Sequence, residues 1–129
     1  MTTTADTFDR LPASVQALAV LAHAHRLQGD SERGALLFDA ADRLHADEPV
    51  LLCGLAACEL ARGRPAQALA ALERLAFGLA AAGSPRQQQA FHLLRAQALV
   101  GLDRRAEAAA AMRAAADASL THAADGALA

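Results

Sequence analysis

Apolar and small side chains recur along this chain in a fixed order, and the order repeats. In LQGDSERGALLF, Leu27 to Phe38, Gly29 is followed five positions later by the small Gly34 and four further on by the bulky Phe38. In LARGRPAQALAAL, Leu60 to Leu72, the same places are held by Gly63, Ala68 and Leu72, and Gly29 and Gly63 lie 34 residues apart. VGLDRRAEAAAAM, Val100 to Met112, is a third copy built on Asp103, Ala108 and Met112. The pattern predicts a helix, a tight turn and an antiparallel helix, three times over. Gly29 and Gly63 can take the left-handed conformation that ends a helix, and Asp103 tolerates it better than most residues. Gly34, Ala68 and Ala108 are small because two helix backbones approach closely there.

Six helices follow, at 13–28 and 31–45, 48–61 and 65–82, and 86–100 and 104–119. Asp30 and Ser31 are candidate caps for the second. Asp47-Glu48-Pro49 reads as a cap, an acid and an early proline opening the third, and Pro65 suits the first turn of the fourth. Gly83-Ser84-Pro85 marks the fifth. That linker stretches the spacing from Gly63 to Asp103 to 40 residues, a six-residue insertion. Residues 1–12 read as a disordered tail, 13–120 as one three-repeat domain, and 121–129, THAADGALA, as a frayed tail. The expected core is Leu18, Leu21, Leu37, Phe38, Leu52, Leu55, Leu69, Leu72, Leu94 and Leu99.

Composition narrows the class to all-α. The 129 residues hold 37 Ala and 21 Leu, nine Val or Thr, and no Ile, Lys, Trp or Tyr. Strands favour β-branched and aromatic side chains, whereas Ala, Leu, Arg, Glu and Gln are strong helix formers. The length is that of one domain. The net charge of −2 comes from 12 Arg against 14 acids spread along the chain. No basic block or aromatic platform marks a nucleic-acid partner. Apolar stretches fall short of the roughly 18 residues that a membrane span needs. Met1 to Arg10 lacks a basic start and apolar core, so no signal peptide is visible and a cytoplasmic location is expected.

Little chemistry stands out. Cys53 and Cys58, five apart on one helix, diverge by about 140° and read as apolar filler in a reducing compartment. His23 and His25 diverge by about 200°, and His45, His92 and His122 show no ligand spacing, so no metal is expected. Phosphate-loop, nucleophile-elbow and zinc-protease motifs are absent, and neither a cofactor nor a catalytic residue is expected.

The helix-pair pattern from residue 13 to residue 118 resembles the tetratricopeptide repeat (TPR) family in its 34-residue period and its glycine–small–bulky spacing. It departs from that family where Leu18, Leu52 and His92 replace an early aromatic, where His25, Glu59 and Leu99 replace a tyrosine, and where the inter-repeat proline is displaced to Pro49. The resemblance implies three antiparallel helix pairs stacked as a short superhelix. Its first helices would line a concave protein-binding groove. Carried over, the groove residues are Gln16, Ala19, His23 and Arg26; Val50, Cys53, Ala57 and Leu60; and Leu93, Gln97 and Val100. Such a wall is mainly apolar with a polar end at His23 and Arg26. It suits an apolar or amphipathic helical segment better than a carboxylate clamp.

Two stretches, GLAACELARGRPAQAL from Gly54 to Leu69 and FHLLRAQALVGLDRRAEA from Phe91 to Ala108, are similar to repeats of the small TPR-type chaperones of bacterial type III secretion systems. That resemblance implies a cytoplasmic chaperone shielding a segment of a small secreted or export-apparatus protein. The alternative is a TPR scaffold or regulatory interaction module unrelated to secretion, a homodimer among its forms. The last predicted helix has Met112 as the one large apolar residue in its middle. It either caps the array with alanine or is covered by a partner or second copy.

Overall fold

A computed structural model describes the backbone of residues 8–82 and 84–128 and the side chains of residues 8–77 and 84–120. It contains α1 (Ala13–Leu27), α2 (Ser31–Leu44), α3 (Pro49–Ala61), α4 (Pro65–Ala82), α5 (Pro85–Gly101) and α6 (Arg105–Leu128), and no strand among the described residues. Each helix packs on its chain neighbours, and α3 also reaches α1 and α5. The odd-numbered helices therefore form an inner layer, as a stack of helix pairs requires.

The three turns within pairs are built alike. Gly29, Gly63 and Asp103 have φ of 83°, 70° and 58°. In each turn the following amide donates to a carbonyl five residues back: Asp30 to His25 at 2.9 Å, Arg64 to Glu59 at 2.8 Å and Arg104 to Leu99 at 2.9 Å. The turn residue itself donates to Arg26, Leu60 or Val100. These two bonds satisfy the last carbonyls of the outgoing helix, and both need a left-handed residue between them. The next helix starts on cue. Asp30 accepts from the Arg33 amide, Pro49, Pro65 and Pro85 occupy first-turn positions, and Ser84 and Gln87 form a reciprocal capping box. Asp47 is not the expected cap. The α3 N-cap is Glu48, without a side-chain bond, and Asp47 is a left-handed linker residue with φ of 66°.

Small residues sit where backbones meet. A Cβ on Gly34 would lie 2.9 Å from Cys58 Sγ and 3.1 Å from the Ala22 carbonyl, and Ala68 and Ala108 are buried. One core cluster joins Val15, Phe38, Leu51 and Cys58, and another joins Leu52, Leu72, Leu75 and Leu99; Leu55 packs against both. Leu18, Leu37, Leu55 and Leu94 are half-buried.

Three expectations need correction, and Met112 departs from its repeat equivalents. Leu21 is 52% exposed, because α1 buries the stripe Val15, Ala19 and Ala22 and Leu21 lies off it. Met112 is 51% exposed, although its repeat equivalents Phe38 and Leu72 are buried. The buried face of α6 is instead the alanine stripe Ala108, Ala111, Ala115 and Ala118. Part of the N-terminal tail is packed: Leu11 is buried, and Gln16 Nε2 donates to the Leu11 carbonyl at 2.8 Å and the Asp9 carbonyl at 3.2 Å. Residues 1–7 of that tail lie outside the described residues. Finally, α6 runs to Leu128 rather than fraying from Thr121, since the alanines there sustain a helix after the repeat pattern has ended.

Candidate protein-binding groove

The inner layer encloses an open cavity of about 500 Å³. From α1 it is lined by Ala19, Val20, His23 and Arg26, from α3 by Val50, Cys53, Gly54 and Ala57, and from α5 by Leu94. Phe8 and Phe38 complete the lining. Spacings of three, four and seven along α1 and α3 place these side chains on one face of each helix. A smaller cavity of about 230 Å³ shares Val50 and Cys53 and runs on past Leu75 and Ala90 to Ser84, Arg86 and Gln87. Together they make one trough across α1, α3 and α5.

Six of the expected groove residues line the larger cavity: Ala19, His23, Arg26, Val50, Cys53 and Ala57. The other five do not. Gln16 anchors the N-terminal segment, and Leu60 packs against the second core cluster. Leu93, Gln97 and Val100 are exposed beside the trough, because the face that α5 turns inward is one residue away, at Ala90 and Leu94. The groove also contains Phe8, Val20, Phe38, Gly54 and Leu94, which sequence reasoning did not assign to it. Gly54 carried a usable signal. It is a glycine inside an apolar helix, and a Cβ there would stand 2.3 Å from Phe38 Cζ. The Phe38 ring thus lies directly on the α3 backbone and floors the cavity.

Neither cysteine is activated by its surroundings. Burial pushes the Cys53 thiol up to about 11 and raises Cys58 as well, so both stay protonated near neutral pH. Burial, then Arg95, lowers His92, whose Nδ1 is buried without a hydrogen-bond partner among the described residues. No group of three or more His, Cys, Asp or Glu among the described residues is placed to hold a metal ion. No helix among them is long and apolar enough to cross a membrane.

Away from the trough, Arg74 joins the first two pairs. Its Nη1 meets Asp42 Oδ2 and its Nη2 meets Asp47 Oδ1, each at 2.8 Å, and Asp42 Oδ1 also accepts from the Asp47 amide at 3.1 Å. Hydrogen bonds to Asp42 and Asp47 hold the Arg74 guanidinium all the more firmly charged. Glu59 is buried and paired with Arg62 at 2.8 Å and Arg64 at 3.3 Å.

No family model matches this chain, and no curated protein matches it. A solved structure does: the globular C-terminal domain of P. aeruginosa LpoP, at 31% identity and a TM-score of 0.73, covering 82% of this chain and 98% of that one. The chain is similar to the LpoP C-terminal domain in sequence as well as in fold. The match takes in nearly the whole of that domain.

Proposed function

We propose that this chain is a non-catalytic protein-binding module that takes an apolar segment of a partner into the trough across α1, α3 and α5. The open apolar cavity of about 500 Å³, built from three inner helices, carries the reading. Small side chains such as Ala19, Cys53 and Ala57 leave room for larger ones from outside. The likeness to LpoP supports a scaffold or regulatory role, because there the fold is the C-terminal domain of a protein and so serves as a module joined to another part. A cytoplasmic chaperone for a secretion-system protein is the second reading, favoured by an apolar wall that demands little of its ligand.

Ala57→Glu and Val20→Glu put a charge where the partner's apolar face must sit, at lining positions that belong to neither core cluster. Partner capture should drop by about tenfold or more while the melting curve is nearly unchanged. Normal capture by both variants would remove the trough from the function. The partner's identity then separates the two readings: a small secreted protein supports the chaperone, and an envelope or regulatory complex supports the scaffold.

A further inference from the structure

The trough carries charge of one sign. Its charged lining consists of Arg26, beside His23, at one end and Arg86 at the other, with no aspartate or glutamate among the described lining residues. In a chain with 14 acids this segregation is selective. Seven of the twelve arginines meet an acid among the described residues: Arg33 at Asp30, Arg43 at Asp39, Arg62 and Arg64 at Glu59, Arg74 at Asp42, Arg104 at Glu107 and Arg105 at Asp103. Arg26 and Arg86 have no ion pair among the described residues. Arg26 Nη2 instead contacts His23 Nδ1 at 3.1 Å. A guanidinium can only donate, so Nδ1 accepts there and Nε2–H is left as a second donor at that end. Between the two cationic ends lie Val50, Cys53, Leu75 and Leu94.

We infer that the occupant is an acidic amphipathic segment of a partner protein, its apolar side chains over Val50 and Cys53 and its carboxylates meeting Arg26 at one end and Arg86 at the other. This rests on the trough being the binding site and names the chemistry of its ligand. Carboxylates suit guanidinium groups through paired charge-assisted bonds. Arg26 is half-buried and Arg86 exposed, so the pair at Arg26 contributes more. The net charge of −2 opposes long-range steering of an acidic partner. The attraction is therefore local and salt-sensitive, acting within about 10 Å at moderate ionic strength. A fatty acid, with a single carboxylate, can satisfy only one end.

The test is selection of a phage-displayed random peptide library on the full chain, with native mass spectrometry of the purified protein alongside. Selected peptides should combine Leu, Ile or Phe with Asp or Glu towards both ends. They should bind about tenfold more weakly to the Arg26→Glu/Arg86→Glu double variant and at raised salt. Lysine-for-acid versions should bind wild type poorly and regain affinity on the charge-reversed variant. Peptides without acidic bias, or indifferent to the double variant, overturn the inference; if Ala57→Glu still abolishes their binding, the trough reading survives. Peptides indifferent to Ala57→Glu as well overturn both. Recovery of no peptide overturns both, and a co-purified fatty acid in that case assigns the trough to a lipid.

Discussion

At the scale of single residues, two aspartates share one backbone conformation for different reasons. Asp103 and Asp47 have φ of 58° and 66°, where an L side chain is strained. The Asp103 carboxylate reaches Arg105 at 3.2 Å with both side chains almost wholly in solvent, a pair that contributes close to nothing. Asp103→Gly should therefore stabilise the protein by about 0.5–1 kcal/mol through relief of strain. The Asp47 carboxylate is tied to Arg74, so Asp47→Gly gains the same relief and loses that pair. Thermal melts should show a raised Tm for the first variant and none for the second. Gly54 poses the opposite problem. Alanine there would favour the helix by about 1 kcal/mol, but its Cβ would overlap the Phe38 ring, and overpacking of this kind costs about 1–3 kcal/mol. Gly54→Ala should lower Tm and push the ring into the cavity, weakening partner capture as well. A raised Tm would mean that the ring is not held against α3.

At the scale of elements, the turns were legible because each depends on one residue type at one spacing, and Gly29, Gly63 and Asp103 all adopt the conformation their positions demand. What a repeat pattern does not encode is the rotation of a helix about its own axis. The register of α1 and α3 points to Leu93, Gln97 and Val100, yet α5 presents Ala90 and Leu94. The same holds for α1, where Leu21 lies off the buried stripe of Val15, Ala19 and Ala22 and is exposed. Within α5, His92 adds a pH dependence. Its folded-state pKa lies below the ordinary value, first through burial and then through Arg95. The unfolded chain therefore binds more protons in that range, and stability rises with pH there. The contribution is complete above the ordinary histidine pKa of about 6.5 and is lost as pH falls through the lower folded value. Urea midpoints measured from pH 7 downwards should fall in wild type and fall less in His92→Gln. Equal slopes would mean that His92 is solvated in both states.

At the scale of the whole molecule, the hydrophobic interior is two clusters rather than one, and Leu55 packs against both. Stacked helix pairs are held by nearest-neighbour interfaces, so whatever crosses between clusters sets how far the pairs unfold together. Besides apolar contact, Arg74 crosses: it lies on α4 and grips Asp42 at the end of α2 and Asp47 in the linker. Asp42 is 6% exposed. Its carboxylate is satisfied by Arg74 and the Asp47 amide, so removing the guanidinium leaves a buried charge with one donor. Loss of one partner from such a pair costs about 3–5 kcal/mol when fully buried, and less here because Arg74 is partly solvated. Arg74→Met should cost about 2 kcal/mol and, more tellingly, should uncouple the ends. Hydrogen exchange should quicken in α1 and α2 while α5 and α6 keep their protection, and the urea transition should broaden. The double variant Arg74→Met/Asp42→Asn leaves no buried charge unpaired. It should recover much of the stability while keeping the uncoupling, because the link itself is still missing. Uniform loss of protection in Arg74→Met would mean that the apolar contacts at Leu55 already bind the two clusters into one cooperative unit. The trough spans that same junction, so looser coupling should also weaken partner capture in the double variant, although no residue of the trough has changed.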